Sequence, residues 1–112
     1  MPPEAILPGT LEMLILKAVS LGELHGYAVL LRLQQMTGGK LNIEQGALYP
    51  ALYRLERQDL IVGVWGTSEN NRRARFYRLT ADGRKRLKEQ TESWNRMVGI
   101  MGGALAARPE EV

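Results

Sequence analysis

The residues best suited to chemistry are arginines and tyrosines, and the basic residues concentrate in one part of the chain. Between Arg54 and Lys88 there are ten lysines and arginines against four acidic residues, a local charge of +6 in a protein whose total is +3. Concentrated cations suit a polyanionic partner, and arginine and tyrosine both hydrogen-bond phosphates. A basic segment can equally be a solvated surface, so charge alone leaves both interpretations open.

The residue types that catalysis and metal binding require are scarce. The chain has one histidine, His25, and no cysteine. No serine or acid stands where a local pattern would pair it with His25, which we interpret as closing the turn before a helix. The acidic residues are not spaced as metal ligands, and no glycine-rich phosphate loop follows a strand. We expect no enzyme activity, no cofactor and no metal site.

Size and hydropathy favour one compact domain in the cytoplasm. The 112 residues are 45% hydrophobic, which suffices for a real core. No apolar run reaches the ~18 residues of a membrane-spanning helix, and the first residues lack the pattern of a signal peptide. The absence of cysteine fits a reducing compartment.

Helical periodicity predicts three helices in the first half of the chain. They cover residues 11–21, 26–37 and 47–58. Thr10 is a suitable N-cap for the first. Pro50 fits the third if it is the third or fourth helical residue, where at most one backbone hydrogen bond is lost.

The third predicted helix has two different faces. One is a stripe of leucines and alanine that predicts burial. The other face carries small residues, tyrosines and arginines. These residue types suit a helix that lies in the DNA major groove, whereas an ordinary solvated face more often carries Glu, Lys and Gln. The candidate DNA-binding residues on it are Ala47, Tyr49, Pro50, Tyr53, Arg54 and Arg57.

After residue 59 the pattern changes to that of strands. Residues 60–65 and 75–79 predict a β-hairpin, with turn-forming residues between them. Trp65 is expected to pack beneath this hairpin. Its predicted tip is basic, and arginines there can hold phosphates or enter a minor groove. The tip residues are Asn70, Asn71, Arg72, Arg73 and Arg75.

A last helix of roughly 25 residues is predicted from Thr80, longer than a small core needs. Its apolar positions recur at alternating intervals of four and three, with Thr91 as the one polar place, which predicts a coiled-coil-like seam and a homodimer. The predicted interface residues are Leu87, Trp94, Val98, Met101 and Leu105. A basic cluster at its start is interpreted as a solvated surface: Arg84, Lys85, Arg86 and Lys88.

The order of elements is that of a winged helix-turn-helix. The predicted fold is mainly α with a small β-hairpin, a winged helix-turn-helix plus a long C-terminal dimerisation helix. We expect the DNA-binding domain to cover residues 1–79, and the dimerisation helix and tail residues 80–112. Within these, residues 1–8 are expected to be a loose lead-in and residues 108–112 a disordered tail.

Three segments carry a family resemblance: LEMLILKAVSLGELHGYAVLLRLQ, IEQGALYPALYRLERQDLI and WGTSENNRRARFYRLTADGRKRL. They span about Leu11 to Trp94 and resemble the PadR family of bacterial transcriptional regulators, in its small subgroup with a single C-terminal helix. The resemblance implies a dimeric repressor that binds double-stranded DNA at inverted repeats of the ATGT…ACAT type. The family's DNA-contact positions match Tyr49, Pro50, Asn71, Arg72 and Arg73.

The resemblance also implies release from DNA by a small molecule. Some drug-sensing members of the subgroup hold planar compounds between tryptophans of their C-terminal helices, which makes Trp94 a candidate effector-pocket residue. The alternative is that Trp94 is simply interface core. The sequence departs from the family at Asp59, where members commonly have glycine. Such a site often needs a left-handed backbone, which Asp tolerates moderately well.

Two other functions remain open from the sequence. The winged helix can be a protein-interaction or RNA-binding module with no operator. Alternatively, ligand sensing at the Trp94 seam can be the main activity.

Overall fold

The computed structural model describes residues 2–111, so Met1 and Val112 lie outside it. Within these residues there are four α-helices, α1 (Leu11–Ser20), α2 (Gly26–Met36), α3 (Gln45–Arg57) and α4 (Ala81–Leu105). The strands are β1 (Glu4–Ala5), β2 (Leu24–His25), β3 (Leu41–Asn42), β4 (Ile61–Thr67) and β5 (Arg73–Leu79). The predicted fold class and order of the main elements are confirmed.

Strands β4 and β5 form the predicted hairpin, which we call the wing. Its antiparallel register runs from Ile61 opposite Leu79 to Thr67 opposite Arg73. Strand β2, which sequence reasoning missed, adds a third strand by pairing with β5. His25 ends β2 and caps α2, because its Nδ1 accepts the N–H of Ala28 at 3.2 Å. His25 therefore stands at the entry to α2, as interpreted, but as the last residue of a strand rather than in a turn.

The expectation of a loose segment at each end was wrong. In residues 2–8, β1 pairs in parallel with β3, and the N–H of Glu4 donates to the carbonyl of Lys40 at 2.8 Å. This pairing holds the N-terminal segment beside the loop that leads into α3. At the other end Pro109–Glu111 form a 3-10 turn rather than a disordered tail.

The core lies among α1, α2, α3 and the base of the wing. The predicted stripe of α3 is fully buried, since none of its residues is more than 1% exposed: Leu48, Ala51, Leu52 and Leu55. In α2, Leu30 is buried, whereas Tyr27 and Leu31 are 53% and 43% exposed. The helix therefore packs on the core along a narrow stripe.

Two helix ends differ from the prediction. Helix α3 begins two residues early, so Pro50 is its sixth residue and lies inside the helix. Because Pro50 has no N–H, the carbonyl of Gly46 lacks its usual helical donor. At α1, the hydroxyl of Thr10 does not cap the helix but donates to the carbonyl of Leu7 at 2.7 Å.

The end of α3 has the left-handed residue that was expected. Asp59 has φ +58°. The N–H groups of Asp59 and Leu60 donate to the carbonyls of Glu56 and Leu55, each at 3.0 Å, which is a Schellman ending with Asp in the place that glycine usually takes.

Helix α4 is anchored at its start. The hydroxyl of Thr80 accepts the N–H of Gly83 at 3.0 Å and donates to the carbonyl of Asp59 at 2.6 Å. Gly83 is the buried residue of α4, and a Cβ there would collide with the carbonyl oxygen of Leu60. Leu87 packs partly buried against the core, and from residue 91 to residue 111 every described residue is exposed.

Candidate nucleic-acid interface

The outward face of α3 carries all the helix residues that the sequence singled out for DNA. Each is exposed: Ala47, Tyr49, Pro50, Tyr53, Arg54 and Arg57. Tyr49 and Tyr53 are 46% and 62% exposed, an unusual state for aromatic side chains on a helix whose other face is fully buried. Such a face can present hydroxyls, ring edges and guanidinium groups to a groove of DNA.

The ring of Tyr49 lies against the start of α2. A Cβ on Gly26 would be 2.8 Å from Cε1 of Tyr49, so glycine at that position lets the ring approach the backbone. Sequence reasoning did not connect these two residues. The glycine after His25 was the only available signal, and glycine near the start of a helix does not by itself indicate which side chain packs on it.

The arginines of α3 are engaged differently. Arg54 bonds Glu12 of α1, with Nη2 at 2.5 Å and Nε at 3.1 Å from the carboxylate oxygen Oε1. The side chains of Arg54 and Glu12 are 53% and 27% exposed. An ion pair this open to solvent is worth at most ~1 kcal/mol, so a phosphate can compete for this guanidinium. The guanidinium of Arg57 instead lies 5.7 Å from the ring centroid of Tyr53.

The tip of the wing is shorter than predicted. It comprises residues 68–72, closed by bonds from the N–H of Ser68 to the carbonyl of Arg72 at 2.8 Å and from the N–H of Asn71 to the carbonyl of Ser68 at 2.9 Å. Asn71 adopts φ +58°, as a turn-forming asparagine can. The placement of Arg73 and Arg75 at the tip was wrong, because β5 already begins at residue 73.

Arg75 connects the wing to α3 by an ion pair between its Nη2 and the carboxylate of Glu56. This carboxylate raises the pKa of Arg75 above its ordinary value. Trp65, directly opposite Arg75 in the hairpin, does not pack beneath the wing as expected. It is 54% exposed, with the guanidinium groups of Arg73 and Arg75 at 4.6 Å and 5.6 Å from the centroid of its ring.

Helix α3 and the wing meet along one open groove of about 550 Å³. It is lined by Tyr49, Tyr53, Glu56, Arg57, Trp65, Arg75 and Tyr77. Tyr77 lies at its base, where burial and the charge of Glu56 raise the pKa of this phenol. The groove joins two sequence regions that were predicted separately into one aromatic and cationic surface.

The predicted dimer residues occupy two environments. Leu87 packs against its own chain's core, whereas the other four are exposed: Trp94, Val98, Met101 and Leu105. Trp94 borders two clefts beside α1. One, of about 220 Å³, is lined mainly by apolar side chains of the N-terminal segment, and the other, of about 290 Å³, includes Gln90 and Met97. The side-chain oxygen of Gln90 is buried and has no hydrogen-bond partner among the described residues.

Within residues 2–111, no group of histidine, cysteine, aspartate or glutamate side chains could hold a metal ion. None of the helices described is long and apolar enough to cross a membrane.

A family model described as the transcriptional regulator PadR-like family matches residues 15–89. The chain belongs to the PadR-like family. It is therefore a DNA-binding transcriptional regulator by family, not an enzyme. The match runs from the middle of α1 to the first third of α4 and includes α3 and the whole wing.

Solved structures of transcriptional regulators, two of them PadR-like, have the same fold. A PadR-like regulator from Bacillus cereus is 27% identical, covers 89% of this chain and 95% of its own, and superposes with a TM-score of 0.76. A PadR family regulator from Eggerthella lenta is 29% identical, with coverage of 89% and 85% and a TM-score of 0.76. A transcriptional regulator from Clostridium thermocellum is 27% identical, with coverage of 85% and 92% and a TM-score of 0.77.

Two curated relatives carry no described activity. An uncharacterised protein of Lysinibacillus sphaericus is 26% identical over 89 residues, which is 80% of this chain and 82% of that protein. An uncharacterised 37.1 kDa protein in transposon TN4556 of Streptomyces fradiae is 38% identical over 101 residues. That match covers 90% of this chain but 27% of the Streptomyces protein, so this chain spans about a quarter of its length.

Proposed function

We propose that this PadR-like regulator is a homodimeric repressor of the small, single-helix subgroup, and that it binds an inverted-repeat operator through α3 and the wing. The observation that carries the proposal is the shared groove, in which the exposed tyrosines and Arg57 of α3 face Trp65 and Arg75 of the wing. In this arrangement α3 lies in the major groove. The wing arginines hold the flanking phosphates.

The DNA-contact set that we propose combines ten residues of these two elements. Those of α3 read base edges and phosphates, and those of the wing hold phosphates or enter the minor groove. They are Ala47, Tyr49, Pro50, Tyr53, Arg54, Arg57, Asn71, Arg72, Arg73 and Arg75.

In the proposed dimer, residues 1–79 bind DNA and residues 80–112 join two copies. Support comes from the second half of α4, where large apolar side chains are exposed without a cover from the described part of the chain: Trp94, Met97, Val98, Ile100, Met101 and Leu105. A solvent-exposed stripe of this size favours a helix of a second copy as its partner. Two-fold symmetry then requires a pseudo-palindromic operator.

The test is a binding titration with duplexes that carry ATGT…ACAT inverted repeats, at two salt concentrations and beside scrambled duplexes. We expect tight binding that prefers the repeat, with one dimer per site. Arg57→Ala should weaken operator binding about tenfold or more, because it removes a contact worth ~1–3 kcal/mol. Lys88→Ala is the matched control, since it removes one positive charge from the solvated start of α4.

Weak binding that ignores sequence and disappears with salt would overturn the operator proposal. It would favour a polyanion surface or a protein-interaction module. A reporter gene placed downstream of a bound repeat tests the sign of regulation, and rising expression on addition of the protein would exclude repression.

We also propose a planar aromatic effector that binds beside Trp94. The support is that this half-exposed indole borders two clefts at the proposed dimer seam. Planar aromatic compounds should quench tryptophan emission and release the operator duplex. Each single variant retains one tryptophan whose emission can be followed. Quenching should be lost in Trp94→Ala, which keeps only Trp65, and retained in Trp65→Phe, which keeps only Trp94. Equal quenching in both variants would exclude this site.

A further inference from the structure

Glu56 is an acid on the surface that we propose for a polyanion. Its side chain is 28% exposed, and it lines the groove between α3 and the wing. By charge alone, a carboxylate there opposes DNA binding. An acid in this place needs a role that outweighs its repulsion, and the one residue to which it is ion-paired in the described part of the chain is Arg75.

The outer half of the wing has little else to hold it. Strand β2 supports β5 only at Tyr77 and Phe76, so from Trp65 and Arg75 outward the hairpin has two strands. Isolated two-stranded hairpins are marginally stable in water. Among residues 2–111, the ion pair of Glu56 with Arg75 is the one salt bridge between α3 and the wing.

The path of the Arg75 side chain depends on a glycine. A Cβ on Gly63 would collide with Nε of Arg75, so the arginine reaches Glu56 across the space that this glycine leaves open. The guanidinium of Arg75 also lies over the ring of Trp65, and the guanidinium of Arg73 lies over the same ring. The side chains thus form a continuous series from α3 towards the tip: Glu56, Arg75, Trp65 and Arg73.

We propose that Glu56 is a positioning residue for DNA recognition, which holds Arg75 and Trp65 so that the outer wing keeps a fixed orientation relative to α3. Arg72 and Arg73 are then directed at the phosphates flanking the major groove that α3 occupies. The inference rests on the proposed operator binding. In this proposal Glu56 orients the wing and does not itself contact DNA.

Glu56→Gln removes a negative charge from the DNA-binding surface, so repulsion and positioning predict opposite changes in affinity. If the carboxylate only repels DNA, this variant binds every duplex more tightly. If it positions the wing, it should bind an ATGT…ACAT duplex about tenfold more weakly, because several wing side chains must now be ordered on binding. Binding to a scrambled duplex should stay the same or tighten. Glu69→Gln at the wing tip is the matched control and should tighten both.

Two further variants separate geometry from charge. Gly63→Ala changes no charge but displaces Arg75, so it should reduce preference for the repeat as Glu56→Gln does. In a double-mutant cycle, Glu56→Gln should cause no further loss once Arg75→Gln is present, because Glu56 acts through Arg75. Thermal unfolding of each variant checks that the fold persists. Tighter operator binding by Glu56→Gln, or an additive loss in the double variant, would overturn the proposal.

A measurement without DNA keeps the inference testable if the operator proposal fails. The indole N–H resonance of Trp65, identified with Trp65→Phe, should shift in Glu56→Gln and in Gly63→Ala but not in Glu69→Gln. An unchanged Trp65 resonance in both groove variants would mean that the ion pair does not hold the wing. Shifted resonances without sequence-specific binding would instead contradict only the operator.

Discussion

Helices α3 and α4 both have an apolar stripe, but the stripe of α3 is buried and the stripe of α4 is exposed to solvent. In α3 the stripe is at most 1% exposed. In α4, Val98 is 53% and Leu105 is 80% exposed, although the spacing of these apolar residues is just as regular. An amphipathic pattern therefore indicates only that a helix needs a partner. In α3 the partner is the chain's own core, and in α4 we propose a second copy.

The exposed faces of the two helices also differ in chemistry. Helix α3 presents tyrosines and arginines, which suit phosphates and base edges. The second half of α4 presents methionine and branched aliphatic side chains, which bind by burial of apolar area. Four variants, one of them a double substitution, test this contrast and the elements next to the two helices.

The largest effect is expected for Leu52→Ala in the buried stripe of α3. Leu52 is 1% exposed, so removing most of its side chain should lower the free energy of unfolding by about 2–5 kcal/mol. Urea unfolding measures this loss, which should be the same at every protein concentration. Leu105→Ala is the control in the exposed stripe. Its effect should be within about 0.5 kcal/mol at concentrations where the chain is monomeric. Equal losses in both variants would contradict the contrast between the stripes.

Met101→Lys should break the proposed dimer without unfolding the chain. Met101 is 49% exposed, so the monomer tolerates lysine, but a charge buried in an interface is costly. We expect the dimer dissociation constant to rise about 100-fold, which corresponds to ~2.7 kcal/mol. Sedimentation equilibrium measures it. Asn95→Lys adds the same charge on a polar part of α4 and should leave the dimer intact. A dimer that survives Met101→Lys would exclude this stripe as the interface.

Replacing Arg72 and Arg73 together by alanine tests whether the wing holds phosphates. Operator binding should weaken, and the slope of log K against log salt should become shallower by about 0.9 for each lost phosphate contact. Titrations at several salt concentrations measure the slope. Lys85→Ala with Lys88→Ala removes two charges from the start of α4 and should change the slope less. An unchanged slope in the wing variant would remove the wing from the interface.

The smallest effect is expected at Asp59, the junction between the end of α3 and the Thr80 cap of α4. The φ of +58° at Asp59 is a left-handed conformation, which costs most L-residues ~1–2 kcal/mol and aspartate somewhat less. Glycine adopts it without this conformational cost. Greater freedom of glycine in the unfolded chain opposes the gain by ~0.4–1 kcal/mol. We expect Asp59→Gly to stabilise the fold by roughly 0.5 kcal/mol in urea unfolding. Clear destabilisation would show that the aspartate side chain contributes more than its backbone costs.

Much of the fold could be predicted because its signals are local. Apolar spacing gave all four helices, with α3 displaced by two residues at its start, and the change of period at residue 59 gave the wing. The left-handed backbone of Asp59 was expected from the family resemblance, because members commonly have glycine at this position. Strands β1, β2 and β3 were missed because a two-residue strand has no period to detect.

Part of the candidate site was likewise predictable from local signals, and part was not. Apolar spacing alone predicted which face of α3 is free, because a buried stripe on one side of a helix leaves the opposite side to solvent. The half-exposed place of Trp65 in the groove beside α3, and the pairing of Glu56 with Arg75, 19 residues further along the chain, became visible only in the folded structure. Such contacts depend on how α3 and the wing pack together, and packing is set by the whole core rather than by spacing within either element.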